Sequence, residues 1–237
     1  MRHLQGCVVG LAFGFGACNG GDKPTSDGVC VFNQAYQENT RADSVPDILN
    51  QASGCYVLID PFTSTAARDA IGDLHAKGNT VGCYTSVGTC EDWRDDYDDM
   101  SASCVDKAWA AWEGEYFVDQ VDDALLAVMQ ARFETMAGWG CDMVEFDNMD
   151  WAYDDQYRER YGFSITSVEA EAYAGTLCGM VESTGMQCMA KNTRRGAAGF
   201  AGGTFESYPD DLGWWQNSHL QGFLDAGGLG IIVHYGE

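Results

Sequence analysis

Eight short runs rich in β-branched, aromatic and other apolar residues recur along the chain, and stretches with helical spacing separate them. The runs are residues 29–32, 55–59, 80–87, 116–118, 143–146, 186–190, 204–205 and 229–235. Strands that alternate with helices form parallel sheets, and eight parallel strands close into a barrel. We therefore predict an α/β fold, a (β/α)8 TIM barrel, in a single domain.

Three segments carry clear helical patterns. They are residues 65–75, closed by Gly78, residues 121–136, closed by Gly138 and Gly140, and residues 167–183, closed by Gly185. An open doubly wound sheet is the alternative, but no Gly-x-Gly-x-x-Gly motif supports a dinucleotide site. The last predicted strand ends two residues before the chain does, so we expect a short or missing closing helix.

The first residues have the features of an export signal. Residues 1–18 contain a basic Arg2, an apolar run at 7–15 and small residues before Cys18. Residues 15–18 resemble a bacterial lipobox, although Phe15 stands where an aliphatic residue is usual. We predict a lipoprotein-type signal peptide over 1–18, a polar Gly-rich tether over 19–28 and the folded domain over 29–237. The alternative is that residues 1–18 form the first helix or strand of the fold.

This signal predicts an extracytoplasmic protein, either secreted or an outer-membrane lipoprotein anchored through Cys18. The chain has ten cysteines, and eight remain without Cys7 and Cys18, an even number that favours disulfides after export. No pair has Cys-x-x-Cys spacing. Local bridges are plausible for two pairs, and the full connectivity stays open: Cys90 with Cys104, and Cys178 with Cys188.

The charge of the chain restricts its partners. With 36 acidic and 13 basic residues, the formal net charge is −23. Such a chain repels phosphate backbones and anionic membranes and favours cationic or neutral partners. We therefore expect no nucleic acid, membrane contact only through the lipid anchor, and a monomer. The alternative is that the acidity only keeps the surface soluble.

Residues 141–153 place four acids among residues typical of a core: Asp142, Glu145, Asp147 and Asp150. If 143–148 is a strand, alternation puts Val144 and Phe146 on one face and Glu145 and Asp147 on the other. Asp147 would then lie at the rim of the barrel and Glu145 one layer deeper. Helix capping or a structural ion is the alternative, and the EF-hand spacing is not matched.

Glu206 ends a second short apolar strand, whereas Asp142 and Asp150 are expected to be solvated or to cap helices. Glycoside hydrolysis requires at least two carboxyl groups, one as nucleophile or base and one as proton donor, and two strand ends of one barrel can supply them. For each single aromatic residue nearby, packing in the core or at the rim is the more frequent role. The aromatic residues that could stack on sugars are Trp93, Trp112, Trp151, Tyr153, Tyr208, Trp214 and Trp215.

Other chemistries have weaker support. The segment 82–88 lacks the Gly-x-Ser-x-Gly spacing of a nucleophile elbow. The four histidines include no His-Glu-x-x-His pair, so we predict neither a metal nor another cofactor.

A series of motifs follows one another between Gln34 and Tyr235. Besides Arg132, they are, in order, Val57-Leu-Ile-Asp60, Gly82-Cys-Tyr-Thr-Ser-Val-Gly88, Glu91-Asp-Trp-Arg94, Trp112-Glu-Gly-Glu-Tyr-Phe-Val-Asp119, Gly140-Cys-Asp-Met-Val-Glu-Phe-Asp-Asn148, Ala190-Lys-Asn192 and Phe205-Glu206. With these motifs the chain resembles glycoside hydrolase family 114, the endo-α-1,4-polygalactosaminidase family. The resemblance implies a β/α-barrel catalytic domain and a retaining mechanism. It implies Asp147 and Glu206 as the catalytic pair, with Asp147 as nucleophile and Glu206 as acid/base, and the reverse roles as the alternative.

The resemblance also implies five substrate-binding residues: Asp60, Tyr84, Glu145, Asn148 and Lys191. For Lys191 a purely structural ion pair is the alternative. The chain departs from the family pattern at Phe146, where proline is usual, at Thr63, where aspartate is usual, and at Ser207, where cysteine is common. Thr63 puts the family's sugar preference in doubt for this chain.

Three hypotheses follow. The first is a secreted or lipid-anchored endo-glycosidase that cleaves an α-1,4-linked galactosamine-containing polysaccharide. The second is a catalytically silent carbohydrate-binding or surface module, in which Asp147 or Glu206 forms salt bridges or turns away from the groove. The third is a metal-dependent hydrolase that uses the acids of residues 142–155.

Overall fold

The computed structural model describes the backbone of residues 8–12 and all atoms of residues 30–36, 43–192, 199–206 and 227–233. The strands in these residues are β1 (Val8–Ala12), β2 (Val31–Asn33), β3 (Tyr56–Ile59), β4 (Thr80–Ser86), β5 (Thr89–Glu91), β6 (Glu115–Phe117), β7 (Met143–Asp147), β8 (Gln187–Lys191), β9 (Gly202–Glu206) and β10 (Leu229–Val233). The helices are α1 (Val45–Gln51), α2 (Thr65–Asp69), α3 (Ile71–Ala76), α4 (Tyr97–Met100), α5 (Asp123–Trp139), α6 (Asp155–Tyr161) and α7 (Ser167–Ser183).

The main sheet contains eight strands in the order β1-β10-β9-β8-β7-β4-β3-β2. All neighbours from β10 to β2 are parallel, and β1 pairs antiparallel with β10. The seven parallel strands form a curled half-barrel with helices on its outside, so the prediction of an α/β barrel fold is confirmed. Among the described residues, no hydrogen-bonded pairing joins β1 to β2, and the barrel is incomplete there.

The predicted barrel strand at 116–118 is wrong in its pairing. It corresponds to β6, which pairs antiparallel with β5 in a separate two-stranded ribbon, while β4 pairs directly with β7. A parallel strand needs a crossover of about a dozen residues or more, usually helical. The four-residue α4 and a short 3-10 turn do not supply one between β5 and β6. The other seven predicted strands correspond to the seven parallel ones, although position 235 lies outside the described residues.

Capping residues explain where the two long helices begin and end. Helix α7 has the predicted bounds and starts with a capping box, in which the Thr166 N–H donates to Glu169 Oε2 (2.8 Å). Helix α5 starts at the cap Asp122 and ends at Gly140, one of the two predicted stops, which has φ 94°. The predicted helix over 65–75 is interrupted at Ala70 and forms α2 and α3.

The sheet separates two apolar clusters. The larger cluster lies between the sheet and the outer helices and includes Phe133 of α5, whose ring stacks on Phe146 at 5.7 Å. The smaller one fills the inside of the barrel with Tyr56, Leu58, Met143, Met189, Ile231 and Val233. Each such large side chain stabilises the fold by about 1.5–3 kcal/mol when fully buried.

Four disulfides join all eight cysteines of the folded domain. Both predicted local bridges are present, Cys90–Cys104 and Cys178–Cys188. The other two, Cys30–Cys55 and Cys83–Cys141, each tie neighbouring parts of the sheet layer across longer stretches of sequence. This density of disulfides fits an extracytoplasmic protein.

The strand β1 lies inside the segment for which we predicted a signal peptide. Its antiparallel pairing with β10 corresponds to the alternative that residues 1–18 form the first strand of the fold. Cys18 and the tether at 19–28 lie outside the described residues. The signal, the lipid anchor and the domain limits therefore stay predictions. No helix within the described parts of the chain has the length and apolar character needed to cross a membrane.

Candidate active site

A pocket of ≈ 280 Å³ opens where the parallel strands end at their carboxyl termini. Strands β7, β8 and β9 each end in a charged residue, which brings these side chains to one rim. Six of the seven predicted site residues line this pocket, and they are Asp60, Tyr84, Asp147, Asn148, Lys191 and Glu206.

Alternation along β7 divides its side chains between the two faces of the sheet, as predicted. Val144 and Phe146 belong to the outer apolar cluster. Asp147 faces the pocket, and Glu145 points into the barrel below it. Phe146, the position where the family has proline, therefore fills space between sheet and helices and does not contact the pocket.

Lys191 connects the two predicted catalytic carboxylates. Its Nζ lies 3.0 Å from Asp147 Oδ1 and 3.1 Å from Glu206 Oε2. These two oxygens are therefore at most 6.1 Å apart, the sum of the two contacts. All three side chains are largely buried, so the ammonium neutralises charge that solvent screens poorly.

Two further donors fix the Asp147 carboxylate. Tyr84 Oη donates to Oδ2 at 2.8 Å, and the backbone N–H of Asn148 donates to Oδ1 at 2.7 Å. Burial and the Asp147 charge raise the pKa of Tyr84 well above its ordinary value, so its hydroxyl keeps the proton that it donates. Asp147 is thus held in one orientation at the end of β7.

Glu206 is fixed by a reciprocal pair of hydrogen bonds with Asn192. Asn192 Nδ2 donates to Glu206 Oε2 (2.9 Å), and the Glu206 N–H donates to Asn192 Oδ1 (3.0 Å). Asn192 follows β8 with φ 54°, a conformation that asparagine adopts more readily than most residues. Sequence reasoning placed Asn192 in a motif but gave it no role.

Glu145 does not line the pocket, unlike the other predicted binding residues. It is fully buried and accepts hydrogen bonds from Tyr36 Oη (2.6 Å) and Thr204 Oγ1 (2.5 Å). Because a strand residue two positions before the rim lies one layer deeper, Tyr36 and Thr204 cover it. Burial raises its pKa to about 7, although Lys191 and both hydrogen bonds lower it.

Asp60 lines the pocket wall, and both of its carboxylate oxygens accept hydrogen bonds from neighbouring side chains. Its two oxygens accept from Arg94 Nη1 (3.1 Å) and Nη2 (3.0 Å), and Thr63 Oγ1 donates to Oδ2 (2.7 Å). Arg94 also binds Glu91 through Nε (2.9 Å) and Nη2 (3.0 Å). The pair Glu91 and Arg94 was named only as a motif, and the structure shows that it builds this wall.

Four acids that line the pocket were not predicted as site residues, and they are Glu91, Glu113, Glu115 and Asp150. Glu115 of β6 is buried, and its Oε2 accepts from Thr89 Oγ1 (2.6 Å) and Asn148 Nδ2 (3.1 Å). Burial raises the pKa of Glu115 to about 8. Asp150 lines the pocket as well, and burial together with the Asp147 charge raises its pKa to about 6.

The two remaining acids of residues 141–153 were expected to be solvated or to cap helices. Asp150 stands at the N-cap position of the 3-10 turn Trp151–Tyr153 without a side-chain capping bond, and it lines the pocket. The Asp142 side chain is 42% exposed, as expected for a solvated acid. Asp142 is the hydrogen-bond acceptor of the Val81 N–H (2.7 Å) and contacts His75 Nε2 (2.9 Å). It therefore joins β7 to β4 and α3 at the end of the barrel opposite the pocket.

Exposed aromatic rings border the pocket on one side. Trp93 and Trp112 are 48% and 37% exposed, and Trp109 lies beside Trp112 at 6.4 Å. Two other candidates belong to the packing, since Trp151 is buried and Tyr153 donates to Glu171 (2.7 Å). The remaining candidates, Tyr208, Trp214 and Trp215, lie outside the described residues, as does Ser207.

In the described ranges, one group of potential metal ligands lies close enough together to share an ion. It consists of Cys178, Glu182 and Cys188. Both of its sulfurs belong to one disulfide, so this group is a structural bridge beside a carboxylate.

Comparison with known proteins relates the sequence to a family of glycoside hydrolases. The sequence model of glycoside-hydrolase family GH114 matches residues 23–201. No curated protein matches the chain.

Two solved structures are similar in fold. The crystal structure of Aspergillus fumigatus Ega3 in complex with galactosamine has a TM-score of 0.62 and 19% identity, covering 84% of this chain and 72% of that chain. The glycoside hydrolase domain of PelA from Pseudomonas aeruginosa has a TM-score of 0.55 and 17% identity, covering 86% of this chain and 79% of that chain. At these identities the likeness concerns the fold alone.

Proposed function

Since the chain belongs to glycoside-hydrolase family GH114, and is thus a glycoside hydrolase, we propose that it is an extracytoplasmic endo-glycosidase that cleaves an α-1,4-linked, galactosamine-containing polysaccharide. One observation carries this proposal. Asp147 and Glu206 come from different strands and meet at Lys191 in a pocket at the carboxyl ends of those strands.

The proposed reaction has two steps. Asp147 attacks the anomeric carbon while Glu206 gives its proton to the glycosidic oxygen, so that the leaving sugar departs and a glycosyl ester forms on Asp147. Glu206 then accepts a proton from water, and the water oxygen attacks the same carbon and releases Asp147. Each step moves one proton through Glu206, and the enzyme returns to its starting state.

The spacing of the carboxylates supports retention of configuration. Retaining enzymes place their carboxyl groups about 5–5.5 Å apart, whereas inverting enzymes need about 6.5–9.5 Å to admit a water molecule. The upper bound of 6.1 Å between Asp147 Oδ1 and Glu206 Oε2 favours the shorter class.

Charge and fold relatives support an amino-sugar polymer as substrate. Partly deacetylated galactosamine polymers are cationic, and the net charge of −23 favours their approach. Ega3, a fold relative, was crystallised with galactosamine. The rim of Trp93 and Trp112 offers faces on which successive sugar rings can stack.

A second candidate function is a carbohydrate-binding module without catalysis. This hypothesis predicts salt bridges at Asp147 or Glu206, and both carboxylates do contact Lys191. Against it, neither carboxylate turns away from the pocket, since both line it.

An assay with purified protein on partially deacetylated galactosaminogalactan decides between the two. We expect new reducing ends from the wild type, and losses of at least about 1,000-fold in kcat for Asp147→Asn and Glu206→Gln. The anomeric configuration of the first product, followed by NMR, tests retention. Equal product release by all three proteins would contradict the catalytic assignment. Binding without hydrolysis by the wild type would favour the binding module.

Secretion and lipidation are part of the proposal and have their own test. Mass spectrometry of protein from the native host should find a mature N-terminus at a lipidated Cys18. A Cys18→Ser variant should then appear in the medium or periplasm instead of the membrane fraction. Recovery of an intact Met1 N-terminus in mature protein would contradict both.

A further inference from the structure

Asn148, directly after the proposed nucleophile, has a constrained backbone and a crowded side chain. Its φ of 58° is one of two positive values found for non-glycine residues in the described parts of the chain. Its Nδ2 lies within hydrogen-bond distance of Ser86 Oγ (3.0 Å), Thr89 Oγ1 (3.3 Å) and Glu115 Oε2 (3.1 Å). A left-handed conformation costs free energy in a residue other than glycine, so these contacts must hold it in place.

Glu115 reaches Asn148 from outside the barrel sheet. It begins β6 in the two-stranded ribbon, where it lies opposite Glu91 of β5. It is 5% exposed, and its Oε2 also accepts from Thr89 Oγ1 at 2.6 Å. One carboxyl oxygen of the ribbon thus receives hydrogen bonds from both the ribbon and the end of β7.

The ribbon is built to lie close against Asn148. A Cβ atom on Gly88, which leads into β5, would lie 1.9 Å from the Asn148 carbonyl oxygen, so glycine is required for this approach. The Gly88 carbonyl in turn accepts from the Val118 N–H at 3.0 Å, just beyond β6. These backbone contacts of Gly88 therefore fix the position of the ribbon, and with it that of Glu115, relative to Asn148.

Asn148 transmits its position to Asp147. The Asn148 N–H donates to Asp147 Oδ1 at 2.7 Å, and that oxygen also contacts Lys191 Nζ at 3.0 Å. The carbonyl of Asp147 accepts from the Val87 N–H at 3.1 Å. A rotation of Asn148 would therefore move the hydrogen bond that orients the carboxylate.

We propose that Glu115 is a positioning residue, which holds the side-chain amide of Asn148 so that the Asn148 N–H orients Asp147 for attack on the sugar. The inference rests on the proposed glycosidase function for its kinetic consequences, and on geometry alone for the Glu115–Asn148–Asp147 connection. Glu115 itself is assigned no contact with the reacting atoms.

The protonation of Glu115 suits this role. Burial, with the charges of Glu91 and Asp147, raises its pKa to about 8, while Thr89 and Lys191 act in the opposite direction. The buried Tyr84 also lies within its electrostatic reach. At neutral pH Glu115 is mostly a neutral carboxylic acid, which accepts from Asn148 without adding a second negative charge beside the nucleophile. Above about pH 8 it ionises, and that charge then opposes negative charge on Asp147.

Kinetics of two variants separate positioning from mere folding. Glu115→Ala removes the carboxyl acceptor of Asn148 Nδ2 and leaves the hydroxyls of Ser86 and Thr89, and we expect kcat to fall at least about tenfold with KM changed less than about threefold. Glu115→Gln keeps a neutral acceptor, so its kcat at pH 7 should stay within about threefold of wild type. In wild type we expect a decline of kcat near pH 8 as Glu115 ionises, and Glu115→Gln should lack that step. The control Glu182→Gln, on an exposed part of α7, should match wild type at every pH.

A double-mutant cycle tests the path through Asn148. Asn148→Gly removes the amide and still allows the positive φ. If Glu115 acts through Asn148, then Glu115→Ala with Asn148→Gly should lose no more activity than Asn148→Gly alone. Three results would each overturn the proposal. The first is a loss of kcat in the double variant equal to the product of the two single losses, and the second is a wild-type kcat in Glu115→Ala. The third is a loss of kcat in Glu115→Gln as large as that in Glu115→Ala.

An NMR titration tests the same connection without any substrate. In wild type, the side-chain amide signal of Asn148 should shift between about pH 7 and 9 as Glu115 titrates, and the shift should be absent in Glu115→Gln. The backbone N–H signal of Asn148 should move upfield in Glu115→Ala, because its hydrogen bond to Asp147 weakens. An Asn148 amide that does not respond to pH in wild type would refute the connection. Absence of hydrolysis by wild type with this response intact would refute only the proposed function.

Discussion

At the scale of single residues, Lys191 is the cation that allows the carboxylates of Asp147 and Glu206 to lie close together. Two ionised carboxylates at such short separation repel each other strongly in a buried site. The Lys191 ammonium lies between them and over the ring of Tyr36, 4.2 Å from its centroid. Tyr36 in turn donates to Glu145 one layer below. In the pocket floor, Asp147 and Glu206 therefore share one cation, and Glu145 below them is held by a neutral hydroxyl.

Replacing Lys191 by methionine tests whether this ion pair is purely structural. We expect Lys191→Met to lower the free energy of unfolding by roughly 3 kcal/mol, because it leaves uncompensated buried charge. We also expect kcat per folded molecule to fall at least about 100-fold, because Asp147 and Glu206 lose the cation that both contact. Urea unfolding and kinetics on the same samples measure both. Lys107→Met, at an exposed lysine, is the control. A stability loss without loss of kcat would assign Lys191 to structure alone.

The sequence predicts some of these residue positions and not others, for a physical reason. Side chains alternate strictly along a strand, so the faces of Phe146 and Asp147 follow from the pattern. How deep a residue lies depends on what covers it, and Tyr36 and Thr204 cover Glu145 from other strands. The contact partners of Lys191 are likewise set by three strand ends that only the fold brings together.

At the scale of secondary structure elements, the ribbon of β5 and β6 shows the limit of pattern reading. Residues 116–118 have the composition of a strand, and composition does not say which strand is the partner. Burial also misleads here, because Phe117 and Val118 are as deeply buried as residues of the barrel sheet. The parallel strands were found because helices or long connections separate most of them, which is the sequence signature of crossovers. The ribbon lacks that signature, so the sequence predicted neither its antiparallel pairing nor a role for Glu115.

Two disulfides with similar loop lengths give a matched test of the ribbon. Cys90–Cys104 closes 14 residues beside the pocket, and Cys178–Cys188 closes 10 residues between α7 and β8. Replacing either pair by serines should lower the free energy of unfolding by about 3 kcal/mol. We expect kcat per folded molecule to fall at least about fivefold for the first pair only. The first disulfide ties β5, which carries Glu91, to Cys104, which pairs with Val118 just after the strand that carries Glu115. Equal kcat values in the two double variants would show that the Cys90–Cys104 disulfide does not affect the active site.

At the scale of the whole molecule, buried acids give stability an unusual dependence on pH. Burial raises the pKa of Glu145 to about 7, of Glu115 to about 8 and of Asp150 to about 6, all above their unfolded values. Between the unfolded and folded pKa of each group the native state binds more protons, so stability falls as pH rises. Asp96 and Asp122 have lowered pKa values and lose their contribution only in acid.

We therefore expect the free energy of unfolding to be at least about 2 kcal/mol larger at pH 5 than at pH 8. Urea unfolding monitored by circular dichroism at both pH values measures the difference. The double variant Glu115→Gln with Glu145→Gln should reduce it, because both raised titrations are removed. A wild-type protein that is equally stable at both pH values would contradict the burial of these carboxyls.

The net charge of −23 makes salt the most direct probe of what the whole surface does. Long-range attraction of a cationic polymer decays over about 10 Å at 0.1 M salt and about 3 Å at 1 M. Raising NaCl from about 0.02 M to about 0.5 M should therefore increase KM for a deacetylated galactosamine polymer at least about tenfold. In contrast, kcat should change little, because the contacts within the pocket are short and largely buried. A fully N-acetylated polymer is neutral and is the matched control, whose KM should be nearly constant. If the acidity only keeps the surface soluble, salt will leave KM unchanged for both polymers.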